Sequence, residues 1–324
     1  MSAVLILNEH EVEELLDVEG CIEAMEEVLR ALARGELYLP LRSIVRPAEE
    51  ANLLGLMPAH RAGDRPLYAL KTVAIFPENP RLGLDAHQGT VTLFDGETGQ
   101  VRALLNASPV TAIRTAACSA VATRALARED ARELAILGAG VQARAHVRAL
   151  TAVRDFERVR IATRTPHHGR ALAAEFPNAE AVDSAEEAVR GADVVVTATN
   201  SPTPVLSRDW LRPGAHINAV GSCFPHTREL DSATVAGASF FVDRRESAEN
   251  EAGDYLLALR DGAIGPDHIR GELGQVLAGD VPGRTASDEI TVFESLGIAV
   301  EDLAAAEYVV RRAEETGVGT RVEF

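Results

Sequence analysis

Residues 133 to 146 read ELAILGAGVQARAH: an apolar run, then Gly138-Ala139-Gly140-Val141-Gln142-Ala143, then a segment of good helix propensity. No other stretch constrains the chain as much. Strand, tight glycine turn and helix N-terminus in this order form the opening unit of a dinucleotide-binding domain. A pyrophosphate must come within hydrogen-bonding distance of backbone N–H groups at the start of a helix, and any Cβ in the turn would obstruct it. Gly138 permits the turn, Gly140 lets the phosphates approach, and the small Ala143 lets helix and strand pack closely. The contacts expected from this loop are Gly138, Gly140, Val141 and Gln142.

The stretches on either side extend this reading. Downstream, the pattern predicts a helix to about Val153, a strand over 159–163, helices over 169–176 and 185–190, and strands over 194–199, 216–221 and 240–243. Strands alternating with helices at this spacing imply parallel βαβ units with right-handed crossovers, hence an open doubly wound sheet. Beyond residue 248 the chain reads as helical. Ser287 and Asp288 look like the cap of a helix running to Leu296, and a last amphipathic helix covers 300–316 before a short tail over 318–324. Upstream, Asn8 caps two helical segments, broken near Gly20 and stopped by Gly35. Residues 41 to 105 change to short β-branched runs over 42–45, 67–75, 89–94 and 101–105, separated by turn signals such as Asp95-Gly96. They predict an antiparallel or mixed sheet. An Ala-rich helix over 109–127 connects this region to the nucleotide unit. The fold class expected is α/β: a Rossmann doubly wound parallel sheet beside a smaller α+β domain.

The totals bound the function. With 324 residues the chain has room for about two domains. A formal net charge of −17 works against nucleic acid or an anionic membrane surface as partner, so an anionic ligand would need locally placed Arg or Lys. There is no 18-residue apolar run, and residues 1 to 8 have neither a basic start nor a long apolar core, which makes a cytoplasmic protein the default expectation. Cys21, Cys118 and Cys223 are few, odd in number and widely separated, which suits reduced thiols. No Cys/His spacing resembles a metal site, and the adjacent pair His167-His168 reads as a solvated loop.

The nucleotide can be narrowed further. Where the dinucleotide is NAD, the second strand commonly ends in an acid that binds the adenosine ribose hydroxyls. Here it ends Thr163-Arg164-Thr165, with no acid. Thr163 can donate a hydrogen bond to a 2′-phosphate, and Arg164 supplies a charge-assisted one, so NADP(H) is expected in preference to NAD(H). Ligands of such sheets bind outside the carboxyl ends of the strands, which makes Thr199, Asn200 and Ser201, and Val220, Gly221 and Ser222, the natural contacts for ribose and nicotinamide.

With these pieces placed, the chain resembles the ornithine cyclodeaminase/μ-crystallin family, which includes certain alanine dehydrogenases and ketimine reductases. The matching segments are LPLRSIV, ALKTVAIFP, HQGTVTLFDGETG, ASPVTAIRTAACSAVATR, LAILGAGVQARAH, INAVGSCFPHTRELD, the stretch over 251–254, and SDEITVFESLGIAVEDLAAA, in the family's order and over almost the whole length. The resemblance implies a homodimer. It also implies a substrate and dimerisation domain over 1–115, completed by 300–324, a nucleotide domain over 116–299, and an active site between the two. Carried across, Arg42, Lys71 and Arg114 match the family's cluster for the substrate carboxylate, Thr115 falls beside the cofactor phosphates, and Glu251 matches an acid near the substrate.

The residue chemistry agrees. Three cations in mostly apolar segments of an acidic protein are costly to bury without an anion. A carboxylate held by an Arg clamp would supply one and orient the neighbouring carbon for hydride transfer. Lys71, desolvated beside two Arg, would have a lowered pKa and could exchange a proton with an imine or amine nitrogen. The sequence departs from the cyclodeaminases at Cys223, where they carry an Asp that handles the substrate amine; a neutral thiol does not attract an ammonium. The expected activity is therefore reduction of a cyclic ketimine or imine carboxylate to the L-amino acid. The alternatives are a cyclodeaminase that releases ammonia and recycles its NAD, and a binding protein that keeps the NADP site without catalysis. Which side chain the pocket accepts depends on residues such as Leu56, Met57 and Phe76.

Overall fold

The computed structural model describes residues 3–323, so Met1 and Phe324, the ends of two stretches read above, lie outside the described residues. The chain divides into two compact units: Met1–Arg114 with Ile298–Phe324, and Thr115–Gly297.

The first unit is built on a mixed sheet ordered Thr320–Glu323, Ala3–Leu7, Val101–Asn106, His87–Asp95, Leu67–Ile75, Leu53–Arg61 and Leu37–Tyr38, with Ser43–Val45 also pairing with Leu53–Arg61. Among the described residues only Ala3–Leu7 and Val101–Asn106 run parallel to each other in this sheet. Alternation along Leu53–Arg61 and Leu67–Ile75 turns Leu53, Met57 and Ala59, and Leu67, Ala69, Lys71 and Val73, to the interior. Helix Ala299–Thr316 packs on these strands and against helix Val18–Ala33, burying Val300, Leu303, Ala306, Val309 and Val310.

Two expectations for this unit are corrected, and one strand that the sequence reading did not name is added. The break between the first helices falls at Leu16-Asp17 rather than near Gly20, because the Asp17 side chain accepts the Gly20 N–H at 2.7 Å and starts a new helix. Gly20 lies inside that helix, where a Cβ would come within 2.1 Å of the Tyr308 hydroxyl. The C-terminal tail is a strand, Thr320–Glu323, paired antiparallel with Ala3–Leu7. Leu53–Arg61, interrupted by Gly55 and Pro58, is a full strand with a long antiparallel partner on one side.

The second unit is an eight-stranded sheet in the order Ala179–Ala181, Arg158–Ala162, Glu133–Leu137, Val194–Thr197, His216–Ala219, Thr291–Glu294, Ser239–Val242 and Ile269–Glu272, parallel throughout. Its order reverses at Glu133–Leu137, the switch point that the doubly wound reading requires. Here the expected helix over 287–296 is wrong. Thr291-Val292-Phe293-Glu294 is a central strand, buried on both faces, and Asp288 sits in the preceding turn, its carbonyl accepting the Gly214 N–H at 2.9 Å. A four-residue run covered on both sides has no alternation to announce it. Residues beyond 248 are likewise not all helical, since Ile269–Glu272 forms an edge of the sheet. Among the described residues no helix is long and apolar enough to cross a membrane.

Candidate functional site

In the second unit, Gly138 leaves strand Glu133–Leu137 with φ +126°, a conformation that L side chains rarely adopt, and its N–H donates to the Ala162 carbonyl at 2.9 Å. A Cβ there would stand 2.5 Å from the Ala198 carbonyl oxygen. Gly140 differs: a Cβ on it would meet no protein atom within 4 Å. Protein packing does not require that glycine, whereas a ligand pressed against the backbone would. Gly140 is also the N-cap of helix Val141–Thr151, which has no side-chain cap and no acid in its first turn, and Ala143 is fully buried behind it. A helix start with uncapped N–H groups and open space beside Gly140 fits a pyrophosphate.

Thr163 and Thr165 are half-buried and Arg164 is exposed just beyond strand Arg158–Ala162, with no acid among the three. Thr115, buried, follows Arg114 on helix Ala107–Leu126.

The strand ends named from the sequence are arranged around a group it did not suggest. The carboxylate of Glu229 accepts the Thr199 N–H at 2.6 Å and the Gly221 N–H at 2.7 Å. Both backbone donors are thus committed inside the protein. The Ser222 hydroxyl donates to the Thr227 carbonyl at 2.9 Å and accepts the Asp254 N–H at 3.0 Å, so it too works internally. Asn200 is exposed, Thr199 half-buried and Val220 buried. Glu251, half-buried, ends helix Arg245–Glu251 three residues before Asp254. The Cys223 thiol donates to the Val220 carbonyl at 3.3 Å. Glu229, Asp254 and Glu294 form a buried acidic group. Burial raises all three carboxyls above their usual range, and neighbouring acids add to this for Asp254, which reaches about 8, and for Glu294, which is held well above its ordinary value. Among the described residues, no group of His, Cys, Asp or Glu is arranged to hold a metal ion.

In the first unit the structure gathers Lys71 and Arg114 and adds two acids. Lys71, on the inner face of strand Leu67–Ile75, donates from Nζ to Asp302 Oδ1 at 3.1 Å. Arg114 Nε donates to the same oxygen at 3.0 Å, and its Nη1 donates to Glu301 Oε2 at 2.7 Å. All four residues are buried, the most open being Arg114 at 4%. The anions that these cations need are therefore supplied by the first turn of helix Ala299–Thr316. Arg42, half-buried, is near enough for its charge to act on Lys71. Desolvation, aided by Arg114 and Arg42 and opposed by Asp302, brings the Lys71 amine down to about 8. His87, whose side chain is half-exposed, feels the same charges: partial desolvation and then Lys71 and Arg114 hold its imidazole below its ordinary value, against Asp85.

Sequence reasoning missed Asp302, Glu301, His87 and Glu229. The first two carried a signal, two acids within the otherwise apolar IAVEDLAAA, which the first-turn preference for acids disguises.

Comparison with known proteins gives a consistent result. Residues 3–317 match the ornithine cyclodeaminase/mu-crystallin family. A Delta(1)-pyrroline-2-carboxylate reductase of Bacillus cereus is 38% identical over 99% of this chain and 100% of its own. The structure of Thermococcus litoralis Delta(1)-pyrroline-2-carboxylate reductase, in complex with NADH and L-proline, superposes with a TM-score of 0.95 at 36% identity, covering 98% of this chain and all of the other. An archaeal alanine dehydrogenase dimer with bound NAD has a TM-score of 0.94 at 33% identity, with complete coverage of both chains. The glycine turn, the parallel sheet around it and these full-length matches together show that the chain belongs to the ornithine cyclodeaminase/mu-crystallin family.

Proposed function

We propose that the chain is a nicotinamide-dependent oxidoreductase that reduces a cyclic ketimine carboxylate, or an imine formed from a 2-oxo acid, to the L-amino acid. The observation that carries this reading is the buried cluster of Lys71 and Arg114 on Asp302 and Glu301, in a chain that also holds the glycine turn. The cofactor, when bound, supplies a hydride to the imine carbon. Arg114, its guanidinium fixed by two carboxylates, and Arg42 hold the substrate carboxylate and so orient that carbon. Lys71, with a pKa near 8, gives its proton to the nitrogen as the C=N bond becomes C–N, and Asp302 positions the amine for this. Glu251 is the second candidate for proton transfer.

In this reading the second unit is the nucleotide domain, its contacts being Thr115, the glycine loop, Thr163 to Thr165 and the strand ends at Thr199, Asn200, Val220 and Gly221. The first is the substrate and dimerisation domain. A homodimer is supported by the dimeric archaeal relative and by a sheet face on which Tyr38, Val45, Leu54 and Tyr68 stand exposed. The acid-free strand end and Arg164 support NADP(H) over NAD(H), although the two related structures described above carry NADH and NAD. Cys223, where cyclodeaminases carry an Asp, supports the reductase over the ammonia-releasing alternative.

The test is to offer Δ1-pyrroline-2-carboxylate, other cyclic imines, and 2-oxo acids with amines, each with NADPH and NADH. The proposal expects absorbance of the reduced nicotinamide to fall in step with amino acid formed. Turnover of ornithine with no net absorbance change would instead establish the cyclodeaminase. Arg164→Ala should lower affinity for NADPH by about tenfold and leave NADH unchanged; an unaltered preference removes the NADP(H) assignment.

A further inference from the structure

We propose that Glu229 is a positioning residue whose buried carboxylate sets the distance between two strand ends that receive the nicotinamide half of the dinucleotide. The inference rests on the dinucleotide reading above and adds to it the group that shapes that half of the site.

Strands Val194–Thr197 and His216–Ala219 lie on the side of Glu133–Leu137 opposite to Arg158–Ala162. They therefore belong to the second mononucleotide-binding half, the one that faces nicotinamide if the strand after the glycine turn faces adenosine. Just past their ends, Thr199 and Gly221 come so close that a Cβ on Gly221 would stand 1.9 Å from the Thr199 carbonyl oxygen. One side chain holds both. Glu229 takes the Thr199 N–H on Oε1 and the Gly221 N–H on Oε2, and it is fully buried. Only a carboxylate presents two acceptor oxygens in this arrangement, since a glutamine would turn an N–H donor toward one of the two amides.

The carboxylate is itself braced. Asp254 Oδ1 accepts the backbone N–H groups of Glu229 and Leu230, both at 2.8 Å. The Asp254 N–H donates to Ser222 Oγ, one residue beyond Gly221. The Glu229 carbonyl accepts from Val205 and Leu206 at 2.7 and 3.0 Å. The Glu229 backbone is thus held at both its N–H and its carbonyl, and the two side-chain oxygens link that fixed position to Thr199 and Gly221. A lost or reversed hydrogen bond here would let one strand end drift while leaving the glycine turn and the Thr163–Thr165 end in place.

The experiment compares wild type with Glu229→Gln, measuring dissociation constants for NADPH and for 2′-phospho-ADP-ribose, which lacks nicotinamide, together with kcat. The expected result is weakening of NADPH by about tenfold with a lowered kcat, and affinity for the fragment within about twofold of wild type. Equal weakening of both ligands, or no change in either, overturns the proposal. Should Glu229→Gln not fold, Ser222→Ala, which removes the acceptor of the Asp254 N–H and the donor to the Thr227 carbonyl while leaving Glu229 in place, should show the same selectivity at about threefold; a non-selective loss there is equally decisive. A wild-type protein that binds neither NADPH, NADH nor the fragment would refute the dinucleotide reading itself, an outcome distinct from failure of the Glu229 assignment.

Discussion

Each unit buries a cluster of ionisable groups, and the two clusters solve the same problem in opposite ways. In the first, Lys71 and Arg114 meet Asp302 and Glu301, so charge is balanced by charge. In the second, Glu229 and Asp254 are answered by backbone N–H groups rather than cations. Burial pushes both kinds of group toward their neutral forms. It moves Lys71 down and Asp254 up, each to about 8. The difference teaches what each cluster is suited for. A lysine whose amine titrates near neutral pH beside a fixed carboxylate can exchange a proton during turnover. Acids held by main-chain donors instead fix the backbone that carries those donors.

The largest expected effect comes from removing the amine. Lys71→Met should lower kcat for imine reduction by about 10²- to 10⁴-fold, as loss of a general acid does, with dinucleotide affinity retained. A rate within a factor of about three of wild type would remove Lys71 from the chemistry. Removing its counter-ion should act on stability. Asp302→Ala leaves two buried cations short of an anion and should cost about 3–5 kcal/mol in urea unfolding. A negligible change would mean that the pair is not buried in solution.

A smaller effect separates the two clusters by their pH dependence. Because the folded pKa of Asp254 is raised from 3.8 to about 8, the stability it contributes is present in full below the free carboxyl value and is lost as pH rises through about 8. The lowered Lys71 value works in the other direction, its cost being present below about 8 and disappearing as pH rises toward 10.5. Asp254→Asn keeps an acceptor for Glu229 and Leu230 but cannot ionise. It should flatten the fall in urea midpoint between about pH 5 and pH 8 that wild type shows. Parallel curves for the two proteins would mean that Asp254 is ionised in the folded state.

The two clusters also show how much can be read before folding. The glycine turn is legible because its pattern is local: strand, turn, uncapped helix start and helix are contiguous from Glu133 to Thr151. Lys71 and Arg114 stand out as cations in apolar segments. Their partners Glu301 and Asp302 do not, because acids in the first turn of a helix are favoured by the dipole even when they face solvent. Only the packing of Ala299–Thr316 on the sheet shows that they are buried. Glu229 is harder still, since a lone acid in a loop says nothing about two amides that are 30 and 8 residues away in sequence. Strand Thr291–Glu294 is hidden by its completeness of burial, and the serine and aspartate before it imitate a helix cap.

The central claim is that Lys71, positioned by Asp302, delivers the proton in imine reduction. Its most direct test is the pH profile of kcat for wild type and Asp302→Asn with the reduced nicotinamide and the imine that the screen of cyclic imines selects. The protonated amine is the donor, so wild-type kcat should fall as pH rises through about 8; Asp302 raises the Lys71 pKa, so in the variant the fall should begin at lower pH. Profiles that coincide, or a wild-type rate that does not fall above pH 8, would contradict the account.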